Sequence, residues 1–244
     1  MTDVASPTLV PDLARRQLGP ELMDDPALST GRHARALDAL RTVNLVSGTA
    51  WRVWRELRRI EPREGGCLRV LDVACGGGDV VVSLARHAAR AGVPIEVYGC
   101  DRSAAALAHA RERAVRRRVE ATFFQLDAIE APLPEGYDLA CSSLFLHHLT
   151  EPQAIALLAA MARTAAVVFV QDLRRTRLGW MLALGALHAL TRSDVARADG
   201  PRSVRAAFTT DEAAALAREA GLAGARVRRC WPQRWALSWR RAWA

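Results

Sequence analysis

Val70-Leu71-Asp72-Val73-Ala74-Cys75-Gly76-Gly77-Gly78-Asp79 runs from an apolar segment of strand character straight into three glycines, and a stretch of helical character follows. Glycines let a backbone turn sharply and approach a ligand with no Cβ in the way, and the start of the following helix offers free N–H groups. Such a strand–turn–helix unit suits many nucleotide-like ligands. A dinucleotide fingerprint beginning at Gly76 requires a glycine at position 81, where Val81 stands. Asp72, at the strand end, is also misplaced for a pyrophosphate, because its charge would repel one. The same acid suits a ligand that carries an ammonium group.

Working outward from this unit, apolar strand-like runs alternate with helical stretches, the pattern of an α/β fold with a doubly wound parallel sheet. The strands are expected at 68–73, 96–100, 121–126, 138–142, 166–171, 226–230 and 235–239. Helices are expected at 80–91, 104–116, 151–163 and 210–220. Ahead of the core, residues 1–30 hold Pro7, Pro11, Pro20 and Pro26 and read as an arm. Apolar residues from Leu37 to Leu57 recur at helical period and are interrupted by Asn44, Ser47 and Gly48, which predicts two helices or one broken helix. A linker at 61–66 follows. Residues 173–208 break the alternation after the fifth strand. Their apolar helix at 178–190 and polar stretch at 192–205 read as an insert. The expected organisation is an arm and helical lid over 1–64 and a core over 65–244, with 173–208 as a cap over the substrate.

Two further acids end the next two strands: Asp101 after the second and Asp127 after the third. With the glycine turn, Tyr137-Asp138-Leu139 and His147-His148-Leu149, this ordered set resembles the class I S-adenosylmethionine-dependent methyltransferases, over roughly 67–239. The nearest kinds are the ubiquinone/menaquinone-type and polyketide-tailoring enzymes. The resemblance implies a Rossmann-like, mostly parallel seven-stranded sheet and S-adenosylmethionine as cofactor. It implies cofactor contacts from Asp72, Ala74, Gly76, Gly78, Asp101, Arg102, Asp127, Ala128 and Ser143, with Asp101 on the ribose hydroxyls and Asp127 on the adenine amino group. Asp101 and Asp127 also suit helix or turn capping. Asp138 falls at the opposite end of its strand and reads as structural.

Methyl transfer is an in-line attack on an activated carbon, so the enzyme supplies alignment and, for a hydroxyl nucleophile, a base. His147 and His148 follow the fourth strand and Asp172 ends the fifth. In the resembled topology these strands are neighbours, so an imidazole and an orienting carboxylate meet above the cofactor, with His147 ahead of His148 as the base. A His-His-Leu at this place also suits a mere cofactor wall. The apolar helix at 178–190 is expected to wall a lipophilic or aromatic pocket through Trp180 and Met181, with Trp51 and Trp54. Arg174 and Arg205 are the arginines placed to grip an acidic or enolic group.

The chain has 244 residues and a formal charge of +8. All 34 cationic residues are arginine, which with the abundant alanine reads as compositional bias rather than selection for a polyanion. No Asn-Pro-Pro-Tyr type motif of amino-group nucleic-acid methyltransferases occurs, so no specific nucleic acid is expected. The five cysteines show no CxxC pair and no metal-ligand spacing, so no metal is expected. With no signal-peptide pattern and no membrane-spanning run, the expectation is a cytoplasmic monomer or homodimer. It would act on a small phenolic, quinol or polyketide-type acceptor, by O-methylation. C-methylation of a similar acceptor, RNA methylation and a non-catalytic cofactor-binding subunit are the alternatives.

Overall fold

Seven strands, β1 (Leu68–Val73), β2 (Ile95–Asp101), β3 (Thr122–Gln125), β4 (Tyr137–Ser143), β5 (Ala165–Leu173), β6 (Arg226–Cys230) and β7 (Arg234–Arg240), form one sheet in the order β3-β2-β1-β4-β5-β7-β6. The computed structural model describes residues 11–25, 27–61 and 66–241. Pro7, Pro26 and most of the expected 61–66 linker lie outside them. β1 pairs in parallel with both β2 and β4, and β5 runs parallel to β4. The strand order therefore reverses beside β1, and the carboxyl ends of β1, β2, β4 and β5 gather along one edge. In open α/β sheets that switch point is where ligands bind.

β7 is antiparallel to both β5 and β6 and lies between them. A hairpin return at 231–233 accounts for this, since consecutive strands joined by so short a loop cannot be parallel. β6 is left at the edge. Its Arg226-Val227-Arg228-Arg229 run guards the open backbone against pairing with another chain.

Side chains alternate across the sheet. Leu68 and Val70 of β1 join the core formed with α3 (Asp79–Ala91) and α4 (Ala104–Arg117). Leu71 and Val73 join the opposite core, formed with α5 (Glu151–Thr164) and α8 (Thr210–Glu219). Both faces are covered, which is why these strands read as nearly continuous apolar runs. Asp138 Oδ2 accepts the Arg69 N–H at 2.8 Å, so it tethers the far end of β4 to β1.

The lid region is two helices, α1 (Thr30–Val46) and α2 (Thr49–Leu57). They part at Gly48, whose φ of 65° is the left-handed geometry that favours glycine. The insert is α6 (Arg177–Leu190) followed by a further helix, α7 (Asp194–Ala206). Most of the polar stretch at 192–205, for which no helix was expected, is thus helical. Ser193 caps it by accepting the Ala196 N–H, and Val195, Asp199, Ser203 and Ala206 recur on its buried side.

Candidate cofactor and catalytic site

The turn after β1 has Ala74, Gly76 and Gly78 all at positive φ, 56°, 51° and 69°. Residues alternating in this way point successive N–H groups outward and make a concavity for an electron-rich group. Gly78 is the most demanding position. A Cβ there would lie 2.7 Å from Ala110 Cβ and 3.0 Å from the Phe123 ring, so the helix α4 and β3 pack directly on the turn. Asp101, at the end of β2, accepts the Gly76 N–H at 2.8 Å and the Ser103 N–H at 2.9 Å. The second acid of the motif therefore braces the glycine turn.

A cavity of about 1350 Å³ opens at this edge of the sheet. Ala74, Gly76, Asp101, Arg102, Asp127, Ala128 and Ser143 all line it, together with His148. Asp127 also accepts the Ile129 N–H at 2.9 Å, the capping bond expected of an acid at a turn. Asp72 does not line the cavity. It is buried under the turn, where it accepts a 3.5 Å hydrogen bond from Cys141 Sγ, and burial with the neighbouring Asp79 pushes its carboxyl well up. The acid that does reach the cavity beside the glycines is Asp79, the first residue of α3, which accepts from Asn44 Nδ2 at 3.1 Å. Its position directly after the third glycine was the available signal.

The histidines divide by burial. His147 is 3% exposed and stands off the cavity, while His148 faces it. His147 Nδ1 donates to Asp172 Oδ1 at 2.7 Å, and the His147 backbone N–H donates to the other carboxylate oxygen at 3.0 Å. β4 and β5 do bring the imidazole and the carboxylate together. Two partners come from the arm, which the sequence did not mark. Glu21 Oε1 lies 3.6 Å from His147 Nε2, Glu21 Oε2 lies 3.8 Å from His148 Nε2, and Asp24 Oδ2 lies 3.4 Å from His148 Nδ1. The arm is held there by α7: Asp199 accepts the Leu22 and Met23 N–H groups, and Ser203 donates to Glu21. Arg16 donates to the carbonyls of His147 and Ala206.

Burial works against a charge on His147, but Asp172 and then Glu21 outweigh it and raise the imidazole from 6.5 to about 10. It is cationic at neutral pH and poorly suited to take a proton. A group raised in the folded state contributes stability that is complete below about 6.5 and is lost as pH climbs to about 10. The melting-temperature gap between the native protein and a neutral-pair variant, His147→Gln with Asp172→Asn, is expected to narrow over that range. A gap that stays level or widens in a pH series of melting curves would contradict the ion pair.

The expected substrate contacts are scattered. Trp54, on α2, is a core residue. Trp51 is 49% exposed and faces His87. Arg174 donates to Gln233 Oε1, and Trp180 and Met181 sit on α6. None of these five lines the 1350 Å³ cavity. Arg205 does line a cavity, a space of about 720 Å³ under arm residues 17–25, beside the cofactor cavity, where it donates to Gln17.

Residues 70–166 match the family model described as a methyltransferase domain. The ubiquinone biosynthesis O-methyltransferase of Photorhabdus laumondii is 28% identical over 166 residues, covering 62% of this chain and 67% of that enzyme. Two further enzymes of that description, from Klebsiella pneumoniae and Proteus mirabilis, are spanned over only 57% and 61% of their length. Among solved structures, human N-acetylserotonin methyltransferase in complex with SAM superposes with a TM-score of 0.64 at 18% identity, over 88% of this chain and 57% of that one. Magnesium protoporphyrin IX methyltransferase of Synechocystis PCC 6803, with bound SAH, gives 0.53 at 19% identity over 87% and 84%. At these identities the structural likeness is one of fold.

Proposed function

We propose that this chain is a class I, S-adenosylmethionine-dependent methyltransferase, because residues 70–166 match the methyltransferase-domain family and the sheet has the order β3-β2-β1-β4-β5-β7-β6, and that it methylates a hydroxyl of a small, lipophilic or aromatic acceptor of phenolic, quinol or polyketide type. S-adenosylmethionine supplies an electrophilic methyl carbon on a sulfonium sulfur. The residues fit it. Asp101 projects a carboxylate into the cavity for a vicinal diol, Asp127 offers an acceptor for an amino group, and Asp79 offers a carboxyl group beside the glycine turn for an ammonium.

The observation that carries the catalytic part is the sharing of one cavity by the glycine turn, Ser143 and His148. His148 takes the acceptor's proton at Nε2. Its distance of 3.8 Å from Glu21 is too long for a hydrogen bond and leaves that nitrogen open to a hydroxyl. Asp24 lies 3.4 Å from Nδ1 and orients the ring. The His147–Asp172 pair is a positioning element. It pins the turn after β4 to the end of β5 through two hydrogen bonds and so fixes where His148 points. Arg205 lies where an acidic or enolic group of the acceptor would enter.

The relatives' printed description as ubiquinone biosynthesis O-methyltransferases supports an oxygen acceptor on an aromatic ring. Many arginines are spent on internal carbonyls, as with Arg16, Arg111 and Arg241, which supports a small acceptor over RNA. The five cysteines are free thiols, three of them buried, which supports a reducing, cytoplasmic setting. No described helix is long and apolar enough to cross a membrane. Incubation with methyl-labelled cofactor and a panel of phenols and hydroquinols, read by NMR, tests the reading. A labelled methoxy product is expected. An aryl-bound methyl would move the reaction to carbon, and cofactor binding without turnover on any acceptor would make this a non-catalytic subunit.

A further inference from the structure

We propose that the outer face of α6 is a docking surface for an anionic lipid bilayer, on which the helix lies in the plane of the headgroups. This goes beyond the methyl-transfer reading and its test needs no turnover. The inner side of α6 packs on α7, where Gly200 admits the Leu187 side chain and Ala183. Among the described residues the outer side has no partner. Leu178, Met181, Leu182, Gly185 and Ala189 follow the i, i+3, i+4, i+7, i+11 spacing of one helical face, and every one is exposed. Leu178 is 52%, Met181 57% and Leu182 38% accessible, on a helix whose single buried residue is Gly179. Soluble surfaces seldom leave a continuous apolar helical face in water unless something covers it.

The turn between β6 and β7 adjoins this face at its start. Gln233 Oε1 accepts from Arg174 Nη2 and from Thr176 Oγ1, the residue that caps α6. Two residues before Gln233, Trp231 is 73% exposed. An exposed tryptophan beside an apolar helix is the amphipathic kind of side chain that settles at a membrane–water boundary.

Charge selects the occupant. From Leu173 to Ser193 there is no acidic residue, and none follows Glu219. The exposed charges around the face are Arg177 and Arg192 at the two ends of α6 and Arg229 on β6. A second copy of this chain would set arginine against arginine, and Asp194, the carboxylate beside Arg192, is already paired with Arg32 at 2.6 Å. A bilayer bearing anionic headgroups offers both things the face lacks: apolar depth for Leu178, Met181 and Leu182, and negative charge for the flanking arginines. The 14 residues of α6 are too few to span a bilayer, so the helix would lie on it.

Co-sedimentation of the full chain with vesicles of phosphatidylcholine containing about 30% phosphatidylglycerol, against vesicles of phosphatidylcholine alone, tests this. The native protein is expected to partition at least about tenfold better onto the anionic vesicles and to be released by salt. Met181→Glu with Leu182→Glu should lower that partition about tenfold or more at unchanged melting temperature and unchanged S-adenosylhomocysteine affinity, since both side chains are exposed and remote from the cofactor cavity. Arg177→Glu with Arg192→Glu, which keeps the apolar face, should remove the preference for anionic vesicles. Native protein that stays in the supernatant overturns the proposal, as does equal partition of the Met181 and Leu182 variant. A native dimer that the same variant converts to monomer, measured by sedimentation velocity, would make the face a contact between copies and also overturn it.

Discussion

Replacing His148 with alanine is expected to lower the turnover rate by ~10²–10⁴, the range a positioned general base contributes, while cofactor affinity changes little. His148 is the imidazole that faces the cavity, with Asp24 on one nitrogen and the other open. His147→Ala should behave differently. Its side chain is buried between Asp172 and Glu21 and held cationic, so its removal leaves the Asp172 carboxylate without its partner and loosens the turn that carries His148. A rate loss accompanied by a lower melting temperature is expected there, because an uncompensated buried charge is costly. The double variant should be scarcely slower than His148→Ala, as residues serving one function lose it at the first deletion. Full activity of His148→Ala with a stable fold, alongside an inactive but stable His147→Ala, would return the base to His147.

Asp101→Ala should weaken binding of S-adenosylhomocysteine by ~2–3 kcal/mol, roughly 30- to 160-fold, through lost charge-assisted hydrogen bonds. Two losses combine. The carboxylate is the acceptor available for a diol, and it also holds the Gly76 and Ser103 N–H groups that shape the rim. Asp101→Asn keeps one acceptor oxygen and so can hold one of the two bracing N–H groups, so its loss should be smaller than that of Asp101→Ala. Titration calorimetry on both variants measures the difference. Affinity unchanged in a folded Asp101→Ala protein would remove Asp101 from the site.

The centre of the sheet was legible because β1 and β5 are apolar runs closed by the glycine turn and by Asp172, with both faces buried, so no alternation obscured them. Leu68–Val73 and Arg226–Cys230 fall where the sequence placed them, and the other strands differ by a residue or so at their ends. Part of the rim of the 1350 Å³ cavity was legible for the same reason: Ala74, Asp101, Asp127 and Ser143 sit at strand ends or just beyond them, whereas His33, Leu37 and Leu40 reach it from α1. Helix α7 was hidden. Its buried side carries Asp199 and Ser203, polar residues satisfied by the arm rather than by apolar packing, so it shows little hydrophobic period. Glu21 and Asp24 were hidden too, since the arm docks through backbone groups and arginines that no spacing reveals. The apolar sequence of α6 was read as a pocket wall. A segment apolar nearly all round does not reveal that α7 takes one side of it and leaves the other exposed.

A crystal structure of the protein with S-adenosylhomocysteine tests the central claim most directly. The account predicts both ribose hydroxyls within hydrogen-bond distance of Asp101, about 2.6–3.2 Å, the adenine against Asp127 and Ala128, and the sulfur on the side of the cavity that His148 faces. The ligand seated elsewhere, or its sulfur turned away from His148 with Asp101 unengaged, would contradict it.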